Sequence, residues 1–154
     1  MTAHQAAVSA SRQPHELDDR QRALAFFTVL TAVVLEVADT TIVNTARPAI
    51  RDGLGASPAA MQWIVAGYLL TLGSLLLLGG RLGDAFGHNR LFLGGVAGFV
   101  AASALCGLAP TPGVLVIARV LQGAAGAMMG PQTMAIVQLL YTPLERVKRL
   151  AFFG

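Results

Sequence analysis

Leu82-Gly83-Asp84-Ala85-Phe86-Gly87-His88-Asn89-Arg90 is a short polar stretch wedged between two long uncharged apolar runs. Its charged side chains cannot rest in hydrocarbon, and the runs beside it suit little else. A compact, glycine-bearing turn joining two membrane-spanning helices satisfies both. That turn sets lipid as the solvent of the flanking runs and places residues 82–90 at one membrane face.

Charge spacing extends this over the chain. No Asp, Glu, Lys or Arg occurs at 53–80, 91–118 or 120–144. Each run exceeds the roughly 20 residues that a helix needs to cross a bilayer. Hydrophobic residues make up 55% of the 154-residue chain and charged residues 12%, with a mean hydropathy of +0.63. A soluble domain carries about a quarter charged residues, so this chain lacks the polar surface to cover one. The expected fold class is therefore all-α, a polytopic membrane protein with four transmembrane helices. The expected helices are 23–46, 59–80, 91–109 and 114–141. Residues 1–22 form a polar tail that contains Glu16, Asp18 and Asp19 and has no signal-peptide pattern. Residues 23–154 form the transmembrane region, which closes on a basic segment after Thr142-Pro143. Ser57-Pro58 supplies an N-cap and first-turn proline for the second helix. Pro131 lies inside the fourth.

Basic residues orient the chain. Arg12, Arg20, Arg22, Arg81, Arg90, Arg146, Lys148 and Arg149 fall on one side, and only Arg47 and Arg51 on the other. The positive-inside rule makes the richer side cytoplasmic, with the N-terminus inside a plasma (inner) membrane. The net charge of +3 is no case for nucleic acid. Cys106 is the sole cysteine, so no internal disulfide forms. His4, His15 and His88 are too scattered for a metal site, and no nucleophile–base pair supports an enzyme. No cofactor is expected. Gly94 and Gly98, and Gly126 and Gly130, stand at helix-packing spacing.

Glu36, Asp39 and Arg119 lie at membrane depth, where an ionisable group is costly unless paired or hydrated. At about 1.5 Å rise per residue, Asp39 and Arg119 each sit roughly 10 Å below the same surface. Glu36 lies one turn deeper, level with Gln122. Glu36, Asp39, Thr40 and Val43 share one side of the first helix; Arg119, Gln122, Gly123 and Gly126 share one side of the fourth. Two polar faces at one depth point to a common hydrated cavity. We expect Glu36, Asp39 and Arg119 to form its ion-pairing and proton-coupling site, with Thr40, Gln122, Gly123 and Tyr68 lining it. One guanidinium can neutralise one carboxylate, which leaves the second for a proton or a cationic substrate.

Three motifs resemble the major facilitator superfamily, in its fourteen-span drug:proton antiporter branch. Asp39-Thr40-Thr41-Ile42-Val43-Asn44-Thr45-Ala46-Arg47-Pro48 resembles the branch's first-helix signature, Asp-x-Thr-Ile-Val-Asn-x-Ala-Leu-Pro. The run from Gly80 to Arg90 resembles the superfamily's loop between helices two and three. Arg119-Val120-Leu121-Gln122-Gly123 resembles its fourth-helix Arg-x-x-Gln-Gly. The resemblance covers the chain from the first helix onward. It implies that the four helices are the first part of a six-helix half, with further helices encoded downstream. It also implies that Gly80, Asp84, Gly87 and Arg90 belong to a cytoplasmic latch. The departures are Arg47 for a leucine, Ala85 for an arginine, and His88-Asn89 for a basic pair. The implied function is proton-coupled export of small lipophilic molecules, with lipid, protons, substrate and the remaining helices as partners. Two alternatives stand beside it: a self-sufficient four-helix transporter that dimerises, and a non-transporting membrane fragment or assembly subunit.

Overall fold

The structure, a computed structural model, describes residues 19–140. Five helices follow in order: α1 (Asp19–Thr45), α2 (Arg47–Leu54), α3 (Pro58–Phe86), α4 (His88–Gly107) and α5 (Pro112–Leu140). No strand occurs among the described residues. Four segments are long and apolar enough to cross a membrane: Ala23–Thr45, Pro58–Phe86, His88–Gly107 and Pro112–Gln138.

Local chemistry sets the breaks. The α3 N-cap is Ser57, whose hydroxyl accepts from the Ala60 N–H at 3.2 Å, and Pro58 follows where an N–H is dispensable. Thr111 does the same for α5, accepting from the Val114 N–H at 3.4 Å. α2 closes on Gly55 in the left-handed region, with φ 61° and ψ 34°.

The polar stretch at residues 82–90 is not a loop. α3 continues through residues 81–86 and α4 begins at His88, so Gly87 alone separates them, at φ 93° and ψ 129°. Arginine, leucine and alanine are strong helix formers, and charge at a membrane surface does not end a helix. Glycine at a φ closed to other residues does. α2 is not among the helices expected from the sequence: Pro48 and Gly53 mark the exit of the first helix there, yet Pro48 sits in the first turn of a short helix of its own.

α5 is the hub of the bundle. It packs along α3 and α4, while α3 and α4 touch one another little and α1 touches α5 lightly. Phe92, Phe99, Tyr68, Ala125, Met129, Ile136 and Val137 form the main core with Val29 and Ala32 of α1. A second cluster of Ala56, Met61, Ile64 and Leu115 seals the α2 end. Exposed Leu69, Leu70, Leu77 and Leu93 suit contact with lipid.

Glycines allow the close α5 contacts. A Cβ at Gly79 would strike the carbonyl of Ala127, the acceptor that Pro131 leaves without its usual N–H partner. A Cβ at Gly123 would come within 2.5 Å of the Tyr68 carbonyl. Gly95 and Gly98 face Ala125 on α5. The spacing had selected Gly94 with Gly98, but a Cβ at Gly94 would meet open space; Gly95, one residue on, faces the partner.

Candidate functional site

Asp39 of α1 and Arg119 of α5 form a salt bridge, 2.5 Å from Arg119 Nη1 to Asp39 Oδ2. The same Nη1 donates to Gln122 Oε1 at 2.7 Å, and Gln122 Nε2 donates to Asp39 Oδ1 at 2.8 Å. The result is a closed triangle in which both carboxylate oxygens accept a bond. Arg119 Nε donates to the Ile64 carbonyl of α3 at 3.3 Å. The guanidinium lies over the Tyr68 ring, 4.3 Å from its centroid. Arg119 is 2% exposed and Gln122 fully buried. Among the described residues, no buried side-chain nitrogen or oxygen lacks a partner. Such satisfaction is what makes a buried ion pair tolerable.

Helix geometry explains the triangle. Arg119 and Gln122 are three residues apart and share one face of α5. Gly67 and Gly123 bring α3 and α5 close, with the Gly67 Cβ position 3.2 Å from Val120 and the Gly123 position against the Tyr68 carbonyl. Tyr68 is thereby held between the two carboxylates' helix and α5. Its hydroxyl donates to Glu36 Oε1 at 3.2 Å. Glu36 is thus joined to Arg119 through one aromatic side chain. Gly126 keeps room there: a Cβ would sit 3.6 Å from Glu36 Oε1.

The expected cavity is placed differently. Asp39 lines a cavity of about 580 Å³ bounded by α1, α2, α4 and the start of α5, with Leu35, Ile42, Phe99 and Cys106 among its walls. Thr40, Gln122, Gly123 and Tyr68 do not line it. Gln122 and Tyr68 are instead taken up in the ion-pair network, and Gly123 is a helix-packing contact. Thr40 bonds to its own helix, donating to the Val37 carbonyl at 2.9 Å. The walls on the α4 side went unread because an apolar helix face carries no signal for what it encloses. Cys106 joins the network from that side, donating from Sγ to Gln122 Oε1 at 3.6 Å.

A second polar cluster sits around Gly87. Asp84 is largely exposed, 3.6 Å from His88 Nε2. Arg90 is exposed, and Gly80 faces Pro131 of α5. Gln132 is the residue the sequence did not reveal. Fully buried, it donates from Nε2 to the Gly79 carbonyl at 2.7 Å and turns Oε1 toward His88 Nδ1 at 2.6 Å. A Cβ at Gly83 would collide with it. A glutamine directly after Pro131 inside an apolar run was the available clue.

Helices of this length around a charged, fully bonded interior define a multi-pass membrane protein. The sequence profile of the Major Facilitator Superfamily matches residues 29–154, and the chain belongs to that family. It is 42% identical over 134 residues to a protein named as a probable actinorhodin transporter of Streptomyces coelicolor, covering 87% of this chain and 23% of that one. It is 44% identical over 137 residues to a puromycin resistance protein of Streptomyces alboniger, covering 88% and 27%. It is 37% identical over 134 residues to a multidrug transporter protein of Bacillus subtilis, covering 87% and 25%. The chain thus spans about a quarter of the length of these relatives.

Proposed function

We propose that this chain supplies the first four membrane helices of a proton-coupled exporter of small lipophilic molecules. The observation that carries the reading is the Arg119–Asp39–Gln122 triangle, with Glu36 tied to it through Tyr68. A guanidinium with one fully bonded carboxylate is electrically complete. Glu36 is the further carboxyl group, half-buried and bonded to a neutral hydroxyl. It is therefore the group free to exchange a proton or meet a cationic substrate, while Asp39 and Arg119 hold α1 against α5. Transport and resistance names among the relatives support export of antibiotic-like compounds. The relatives' greater length favours this reading over a self-sufficient four-helix transporter. The N-terminus and the Gly87 end of the bundle are cytoplasmic on this proposal, with Asp84 and Gly87 in the latch.

The test is efflux by the longer transporter that contains this segment, in everted vesicles with an imposed proton gradient. Wild type should export a lipophilic dye in a gradient-dependent manner. Glu36→Gln should remove the dependence of efflux on pH while leaving protein level near normal. Unchanged pH dependence in Glu36→Gln would move the proton site out of these helices.

A further inference from the structure

α2 carries a charged site apart from the buried network. Its Ile50 and Leu54 pack on the cluster of Ala56, Met61, Ile64 and Leu115. Arg47 and Arg51 are exposed, one turn apart on the same side of the helix. With Pro48, Asp52, Pro58 and Met61 they line a concavity of about 560 Å³ between α2 and the start of α3. Among the described residues the ion pairs are His88–Asp84 and Arg119–Asp39, so neither arginine is paired. Asp52 also lines the concavity, which leaves it one net positive charge. The first turn of α3 adds the positive end of a long helix.

The position selects the anion. α1 ends at Thr45 and α3 begins at Pro58, so the concavity lies where two spanning helices reach the membrane surface. Exposed Ile42 and Trp63 sit within about two turns of it along their helices, on the side of the spans. Trp63 also suits the interfacial level that tryptophan prefers. A guanidinium pair above apolar walls matches a phosphodiester above acyl chains. We propose that Arg47, Arg51 and the start of α3 bind the phosphate of an anionic phospholipid. The site holds α2 flat in the headgroup layer and tethers the α1–α3 connection to lipid.

The longer transporter that contains this segment, purified in detergent, titrated with phosphatidylglycerol or phosphatidylcholine of matched acyl chains and read by native mass spectrometry, tests this. Phosphatidylglycerol should be retained several-fold more tightly than phosphatidylcholine, and the preference should shrink as salt rises. The Arg47→Gln/Arg51→Gln variant should lose the preference, and Arg47→Lys/Arg51→Lys should keep part of it. Millimolar inorganic phosphate should leave the lipid adducts in place. Equal retention of the two lipids by wild type, or an unchanged preference in the glutamine variant, would overturn the proposal. Displacement of phosphatidylglycerol by inorganic phosphate would overturn the lipid assignment. Should the glutamine variant fail to fold, the wild-type lipid ratio across a salt series still decides: a ratio indifferent to salt rejects the arginine pair as its source.

Discussion

Arg119 of α5 reaches both α1 and α3, and each of its contacts depends on the rest. Its Nη1 serves Asp39 and Gln122, its Nε serves Ile64, and its flat face rests on Tyr68. Removing the guanidinium strands the Asp39 carboxylate, which then keeps only the Gln122 amide. Breaking a buried pair from one side costs about 3–5 kcal/mol, whereas removing both charges is far milder. Arg119→Gln should therefore lower expression and thermal stability in detergent severely, and Asp39→Asn/Arg119→Gln should recover much of the loss. The two substitutions should be strongly non-additive in a double-mutant cycle of melting temperature. Additive effects would show that the pair does not couple. The partners themselves were legible before the fold, because equal depth from the same surface needs only the helical rise. Tyr68 as the link to Glu36 was not legible: its hydroxyl direction depends on how near α3 lies to α5, a distance that glycines set and sequence spacing does not state.

At the scale of helices, the contact between α3 and α5 rests on missing side chains. Gly79 and Gly123 lie on opposite sides of that contact and each meets partner backbone. Backbone cannot yield as a flexible side chain does, so a methyl group must push the helices apart. Overpacking of this kind costs about 1–3 kcal/mol. Gly94 offers a control, since an added Cβ meets nothing within 4 Å. Gly79→Ala and Gly123→Ala should each lower the melting temperature, while Gly94→Ala should leave it level or raise it slightly, because alanine favours a helix over glycine by up to about 1 kcal/mol. A neutral Gly123→Ala would mean that α3 and α5 stand farther apart than the structure has them. The same elements show where sequence patterning is blind. A glycine-xxx-glycine spacing marks a face of a helix but not which neighbouring glycine points at the partner, as Gly94 and Gly95 illustrate. Polarity likewise predicts the end of the second spanning helix at Gly80, whereas α3 runs on to Phe86. Leaving lipid and leaving a helix are different events, and only Gly87 enforces the second.

At the scale of the whole molecule, the distribution of arginine carries the proposed orientation. Basic residues flanking the Gly87 end and both chain ends outnumber those beside α2, where Arg47 and Arg51 stand alone. On the proposed function, cytoplasmic enrichment of Lys and Arg over short loops directs the Gly87 end inward and α2 outward. The lipid-phosphate site does not alter that count, because a phosphodiester at the outer surface can hold two arginines where they are. Single cysteines in a Cys106→Ala background report the outcome. Ala85 and Asp52 are exposed at opposite ends of the bundle, and the ion pairs among the described residues involve neither. In intact cells, an impermeant maleimide should label Asp52→Cys and spare Ala85→Cys until the membrane is opened. The reverse pattern would invert the molecule and place the Gly87 end outside. It would also turn Arg47 and Arg51 toward the cytoplasmic leaflet, where the buried triangle of Arg119, Asp39 and Gln122 would keep its geometry but open to the other side.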